Sequence, residues 1–165
     1  MPTAAQGFPS QDLQIHLLGE LQVCRLRQPL LLPASRKTRA LLAYLAVTAR
    51  RHLRSELCAL FFEDAADPRA GLRWSLTQIR RVLGERDREV IGADRESVEL
   101  RVQLVSTDLA RLDSLMERPG GGSAGVPAKA LREASALFRG EFLEGLDLPS
   151  CYAYHEWCMS EREAA

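Results

Sequence analysis

No stretch of the 165-residue chain approaches the roughly 20 consecutive apolar residues that a membrane-spanning helix needs, so a helical membrane protein is excluded. The opening Met-Pro-Thr-Ala-Ala-Gln-Gly carries neither a basic patch nor an apolar stretch, and no secretory signal is expected. Cysteine is scarce: four residues, at 24, 58, 151 and 158, are too few and too scattered for a disulfide framework. A reducing, cytoplasmic setting is the simpler expectation. Aromatics make up only 6%, yet 46% of the chain is hydrophobic and 27% charged, a mixture that buries a core and excludes wholesale disorder. The length suits one ordinary domain, or a small domain plus part of another.

Constellations for catalysis are missing too. No Ser/His/Asp or Cys/His set stands where a nucleophile would be activated, and Glu161 and Glu163 read as helix surface, so no enzyme is expected. The glycine run at 120–125 is not followed by Gly-Lys-Ser/Thr, which excludes a phosphate-binding loop and leaves a flexible connector. Cys151, His155 and Cys158 share one helical face and could in principle hold zinc, but no fourth ligand is in sight. Buried thiols and a capping histidine are the simpler reading, and neither metal nor cofactor is expected. Asp67 reads as a helix cap, and no aspartate sits in a receiver-like setting.

Net charge is zero, 22 basic residues against 22 acidic, but the balance is local rather than uniform. Residues 34–86 hold eleven basic and five acidic side chains, a surplus of six, and ten of those eleven are arginine. Arginine presents a planar fork that suits phosphate and guanine edges.

The apolar pattern changes period along the chain. Residues 12–18 and 21–26 alternate as half-buried strands, and Leu30–Leu32 reads as a third short strand. From Ala34 a helix of about four turns is expected, with Leu41, Leu42, Leu45 and Val47 inward. Ser55 suits the N-cap of a second helix over 56–62. A third helix is expected over 68–83, capped by Asp67, opened by Pro68 and stopped by Gly84. Its Leu72, Leu76, Ile79 and Leu83 form one stripe; Arg73, Trp74, Thr77, Arg80 and Arg81 lie opposite, with Gln78 nearer one edge. Two strand-like pieces, 89–91 and 97–102, make a hairpin with Arg95 near its tip. Further helices are expected over 108–116, 128–138 and from 151 to about 163, the last without a partner after it, which suggests a longer protein.

Strands, three helices and a hairpin are the order of an α+β winged helix: a small N-terminal antiparallel sheet, three helices and a hairpin wing. Its third helix would enter a major groove. Residues 12–105 are expected to form that domain, and 106–165 the start of a helical one. Base-edge contacts are expected from Arg73, Trp74, Thr77, Gln78 and Arg81. Backbone or wing contacts are expected from Arg36, Lys37, Arg54, Ser55, Arg80 and Arg95. The competing reading is a protein-interaction module of a larger regulator, its basic face meeting an acidic partner.

Particular runs carry a resemblance. Arg36-Lys-Thr-Arg-Ala-Leu-Leu-Ala-Tyr-Leu-Ala, Ser55-Glu-Leu-Cys-Ala-Leu-Phe and Ala70-Gly-Leu-Arg-Trp-Ser-Leu-Thr-Gln-Ile-Arg-Arg-Val-Leu-Gly resemble the N-terminal winged helix of the bacterial antibiotic-regulatory-protein (SARP) family. Thr107-Asp-Leu-Ala-Arg-Leu, Ala136-Leu-Phe-Arg-Gly-Glu-Phe-Leu-Glu-Gly-Leu and His155-Glu-Trp-Cys-Met-Ser-Glu-Arg-Glu are similar to segments of the bacterial transcriptional activator domain, a tetratricopeptide-like helical module. The resemblance covers about residues 12–165, although that module is usually longer and position 74 is usually polar. It implies a transcription activator that binds promoter DNA, with direct repeats, a homodimer on DNA and RNA polymerase as further expectations.

Overall fold

The computed structural model describes residues 12–117 and 127–164. The expected leader at 7–10 and the connector at 119–125 lie outside the described residues.

Alternating burial makes Leu13–His16 a strand, β1, with Leu13 and Ile15 in the core. Gly19–Glu20 forms β2, and Gln22–Arg25 forms β3, which returns antiparallel to β1 with Ile15 opposite Val23. The next strand, β4, is Gln28–Pro29 rather than the expected Leu30–Leu32. Leu26 and Arg27 both take positive φ to close a tight turn, which sets the pairing two residues earlier and leaves Leu31 93% exposed.

Three helices follow. The first, α1 (Arg36–Thr48), is capped by the Ser35 hydroxyl, which accepts from the Thr38 amide. A short strand, β5 (His52–Leu53), leads straight into α2 (Arg54–Phe62). Ser55 is therefore inside the first turn and not the N-cap. Leu53 occupies that position, and its amide is satisfied by the Glu56 carboxylate at 3.2 Å. Helix α3 (Pro68–Leu83) has the expected bounds, with the Asp67 carboxylate accepting from the Ala70 amide. Gly71 lets α3 approach α2 closely: a Cβ there would lie 2.8 Å from the Phe62 ring.

A hairpin closes this part. The expected strand at 89–91 is a 3₁₀ turn over Arg88–Val90 followed by β6 (Ile91–Ala93), which pairs with β7 (Ser97–Leu100). β5 adds to the other edge of β7. Asp94 builds the turn by accepting from the amides of Glu96 and Ser97, and those bonds hold its carboxyl below the usual carboxylate range.

The second half is stitched into the first. Ser106–Thr107 (β8) joins the N-terminal sheet parallel to β1, giving the order β4-β3-β1-β8. Helix α4 (Asp108–Met116) begins there and packs on α5 (Ala128–Leu137). Phe142–Glu144 (β9), unexpected from the sequence, pairs in parallel with β2. Helix α6 (Tyr152–Ala164) packs chiefly on α2 and β9. Tyr154 is fully buried against Phe61, with ring centroids 5.1 Å apart, and Trp157 stands edge-on to Tyr44 at 4.7 Å. The expected boundary at 105/106 thus falls inside a shared sheet and a shared core.

His52 sits where β5, α1 and α2 meet. It is 1% exposed, its Nε2 lies 2.7 Å from the Thr48 hydroxyl, and its Nδ1 has no hydrogen-bond partner among the described residues. Burial first, then the Arg50 charge, pushes its pKa below the ordinary imidazole value of about 6.5, with Glu56 opposing. His16 is lowered as well, again mainly by burial. The fold therefore favours neutral imidazole, and the unfolded chain binds the proton more readily. This contribution to stability is whole above about pH 6.5 and is lost as pH falls below it. Urea midpoints are expected to drop between pH 7.5 and 5.5, and His52→Gln, which cannot titrate, should narrow the drop. An unchanged drop in that variant would remove His52 as a cause.

Candidate nucleic-acid interface

The stripe Leu72, Leu76, Ile79 and Leu83 is buried, which fixes the rotation of α3 about its axis. At about 100° per residue, Trp74 and Arg81 then point straight away from the core, with Thr77 and Gln78 to either side. Trp74 is 54% exposed, Arg81 and Thr77 are exposed and Gln78 is half-buried. Thr77 turns its hydroxyl back to the Arg73 carbonyl at 2.9 Å, so its methyl and a lone pair remain outward. Gln78 accepts loosely from Arg81 at 3.4 Å.

Arg73 lies on the flank that faces the hairpin, and Arg69, one turn earlier, lies beside it. Together with Arg54, Ser55 and the hairpin tip they line a cleft of about 750 Å³ between α3, the start of α2 and residues 94–96. Four arginines (Arg54, Arg69, Arg73, Arg95) and two acidic residues (Asp94, Glu96) line it. The hairpin tip is held at that distance by backbone: the Arg54 amide donates to the Glu96 carbonyl at 2.7 Å, and Arg54 Nε to the Asp94 carbonyl at 2.8 Å. Arg51 adds longer contacts to Asp94 and Glu99. The guanidiniums of Arg69, Arg73 and Arg95 make no hydrogen bond or ion pair among the described residues, whereas the hairpin's own charges are largely paired. An exposed helix flank and a hairpin with unpaired guanidiniums form an anion-attracting surface.

Arg69 was not singled out from the sequence, although its i, i+4 spacing to Arg73 places both on one flank.

Three expected contacts have other work. Arg80 reaches the Ile91 carbonyl at 3.1 Å and so ties α3 to the hairpin. Its Nε is buried without a hydrogen-bond partner among the described residues, and burial, then the charges of Arg88 and Arg54, pushes its pKa down. It bridges α3 to the hairpin inside the protein. Arg36 donates to the carbonyls of Gly145 and Asp147, both at 2.8 Å, which commits it to holding the C-terminal segment on α1. Lys37 rests its ammonium 6.0 Å from the Phe62 ring centroid. Accordingly, Arg36→Ala is expected to cost about 1–2 kcal/mol of stability and to leave the salt dependence of DNA binding unchanged. A flattened salt slope with unchanged stability would return Arg36 to the interface.

Cys151 and Cys158 are free, buried thiols: Cys151 lies 3.5 Å from the Phe61 carbonyl, and burial pushes the Cys158 thiol up. Among the described residues no group of three or more His, Cys, Asp or Glu could hold a metal ion, and no helix is long and apolar enough to cross a membrane.

No family profile matches the chain, and no curated protein matches it. A solved structure does. Mycobacterium tuberculosis EmbR, in complex with a low-affinity phosphopeptide, shares the fold over 93% of this chain with a TM-score of 0.69 and 23% identity. The chain spans 42% of that EmbR chain. The likeness is one of fold: α+β, with six helices and small sheets among the described residues.

Proposed function

We propose that this chain is a sequence-reading, double-stranded-DNA-binding module of a transcription regulator, with α3 in the major groove and the β6–β7 hairpin against the neighbouring backbone. One observation carries the reading. The exposed surface of α3, its outer pole and the flank toward the hairpin, presents Arg69, Arg73, Trp74, Thr77 and Arg81 without a single acidic side chain, beside a hairpin whose tip adds Arg95. Trp74, Thr77, Gln78 and Arg81 occupy the positions that would meet base edges. Arg54, Ser55, Arg69, Arg73 and Arg95 surround the cleft where a phosphate would pass, and Ser55 sits in the first turn of α2, where free amides favour an anion. The fold shared with the transcriptional regulator EmbR supports the same reading. Promoter duplex, direct repeats, RNA polymerase and pairing of two copies on DNA are the partners that the family resemblance implies.

The test is selection from a pool of random duplexes with the 165-residue chain, followed by binding in excess nonspecific DNA. Enrichment of one sequence, bound at least about a thousandfold more tightly than random duplex, is the expected result. Failure to enrich any sequence would sink the reading.

A further inference from the structure

Trp74 is the largest apolar side chain on the outward face of α3, and it has no use inside the protein. It is 54% exposed, whereas Trp157, the other tryptophan, packs against the rings of Tyr44, Tyr154 and Phe142. Among the described residues the Trp74 side chain makes no ring contact, no cation–π contact and no hydrogen bond. A half-exposed indole costs solubility and contributes nothing to the core. Its place at the outer pole of α3 puts it deepest in any groove the helix enters, flanked by Thr77 and Arg81.

We infer that Trp74 sets sequence preference by recognising thymine in the major groove, an inference that rests on the DNA-binding reading. The chemistry of the ring decides the base. Indole offers a broad apolar face and one N–H donor, and it has no acceptor. Cytosine shows the major groove an amino donor, which leaves that N–H opposed rather than paired, and adenine shows an amino donor beside its acceptor. Guanine shows two acceptors and no apolar group, a pattern better met by the fork of Arg81. Thymine alone combines an acceptor, O4, with a methyl group that the indole face can cover. The thymine-facing patch continues onto Thr77, whose methyl is left outward because its hydroxyl is bonded to the Arg73 carbonyl. The surrounding arginines supply the charge complementarity that brings the duplex to this face.

The experiment uses the selected duplex and deoxyuridine, which keeps O4 and removes the methyl. Each thymine of the site is replaced in turn, and binding is measured for the wild-type chain, Trp74→Ala and Trp74→Phe. At one thymine the replacement should weaken wild-type binding roughly fourfold, the factor for withdrawing one buried methyl carbon. Trp74→Ala should be indifferent to the same replacement, and Trp74→Phe, apolar but without the donor, should keep part of the sensitivity. Trp74 is exposed, so both variants should fold, which thermal midpoints within a few degrees of wild type would show. Wild-type indifference to deoxyuridine at every thymine, or equal sensitivity in Trp74→Ala, overturns the inference while leaving DNA reading intact. A pool that yields no enriched sequence overturns both.

Discussion

Asp108→Ala should lower the stability of the fold by about 3–5 kcal/mol, a large share of the 5–15 kcal/mol available to a domain. Asp108 is only 5% exposed, and its carboxylate accepts from the amides of Leu17 at 2.8 Å and Leu18 at 2.9 Å. Both of those leucines are fully buried where β1 ends. Alanine would leave two amides in the core with no acceptor, each costing about 1–3 kcal/mol, and would remove a charge-assisted contact at the start of α4. Asp108→Asn keeps one acceptor oxygen and should cost roughly half as much. Urea denaturation followed by circular dichroism measures both. A loss under about 1 kcal/mol for Asp108→Ala would mean that β1 and α4 are joined by something else.

The same reasoning bears on where the protein can be cut. A chain ended at residue 105 loses Asp108, β8, the β9 pairing with β2, and the buried Phe142, Leu143 and Tyr154. The Phe61 ring and the ends of β1 would then face water. Such a chain should show no cooperative unfolding transition, even though the sequence suggested a separable unit over 12–105.

Arg73→Glu combined with Arg81→Glu should weaken binding to the selected duplex at least about a hundredfold, or about 2.7 kcal/mol, with unfolding midpoints unchanged. Both side chains are exposed, and neither holds the core together. Arg73 faces the cleft and would lose a phosphate, and Arg81 stands at the outer pole and would lose a base edge. Glutamate at either position also repels the backbone. Measured by anisotropy with labelled duplex, a loss under about threefold would remove α3 as the reading helix.

Much of this arrangement was legible in the sequence where it rests on local chemistry. Asp67, Pro68 and Gly84 punctuate α3, and its buried leucines and isoleucine repeat at helical spacing, so its bounds and its outward face follow from spacing alone. The hairpin was legible in part: its second strand starts at Ser97 as expected, whereas the strand expected at 89–91 starts only at Ile91. What escaped depends on partners far away in the chain. The Asp108 bonds to Leu17 and Leu18 span 91 and 90 residues, and strands as short as β2 and β9 carry no period that a sequence could show. Arg36, Arg80 and Arg73 look alike in sequence. They part company only in space, where two meet backbone carbonyls and one meets none.

The salt dependence of binding to the selected duplex tests the central claim most directly. With Arg69, Arg73 and Arg95 on phosphates, the log of the affinity should fall against the log of the salt concentration with a slope of about −3. Arg69→Ala should make that slope shallower by about one. A slope near zero for the wild-type chain, or one untouched by loss of Arg69, would contradict the placement of a DNA backbone in the cleft between α3 and the hairpin.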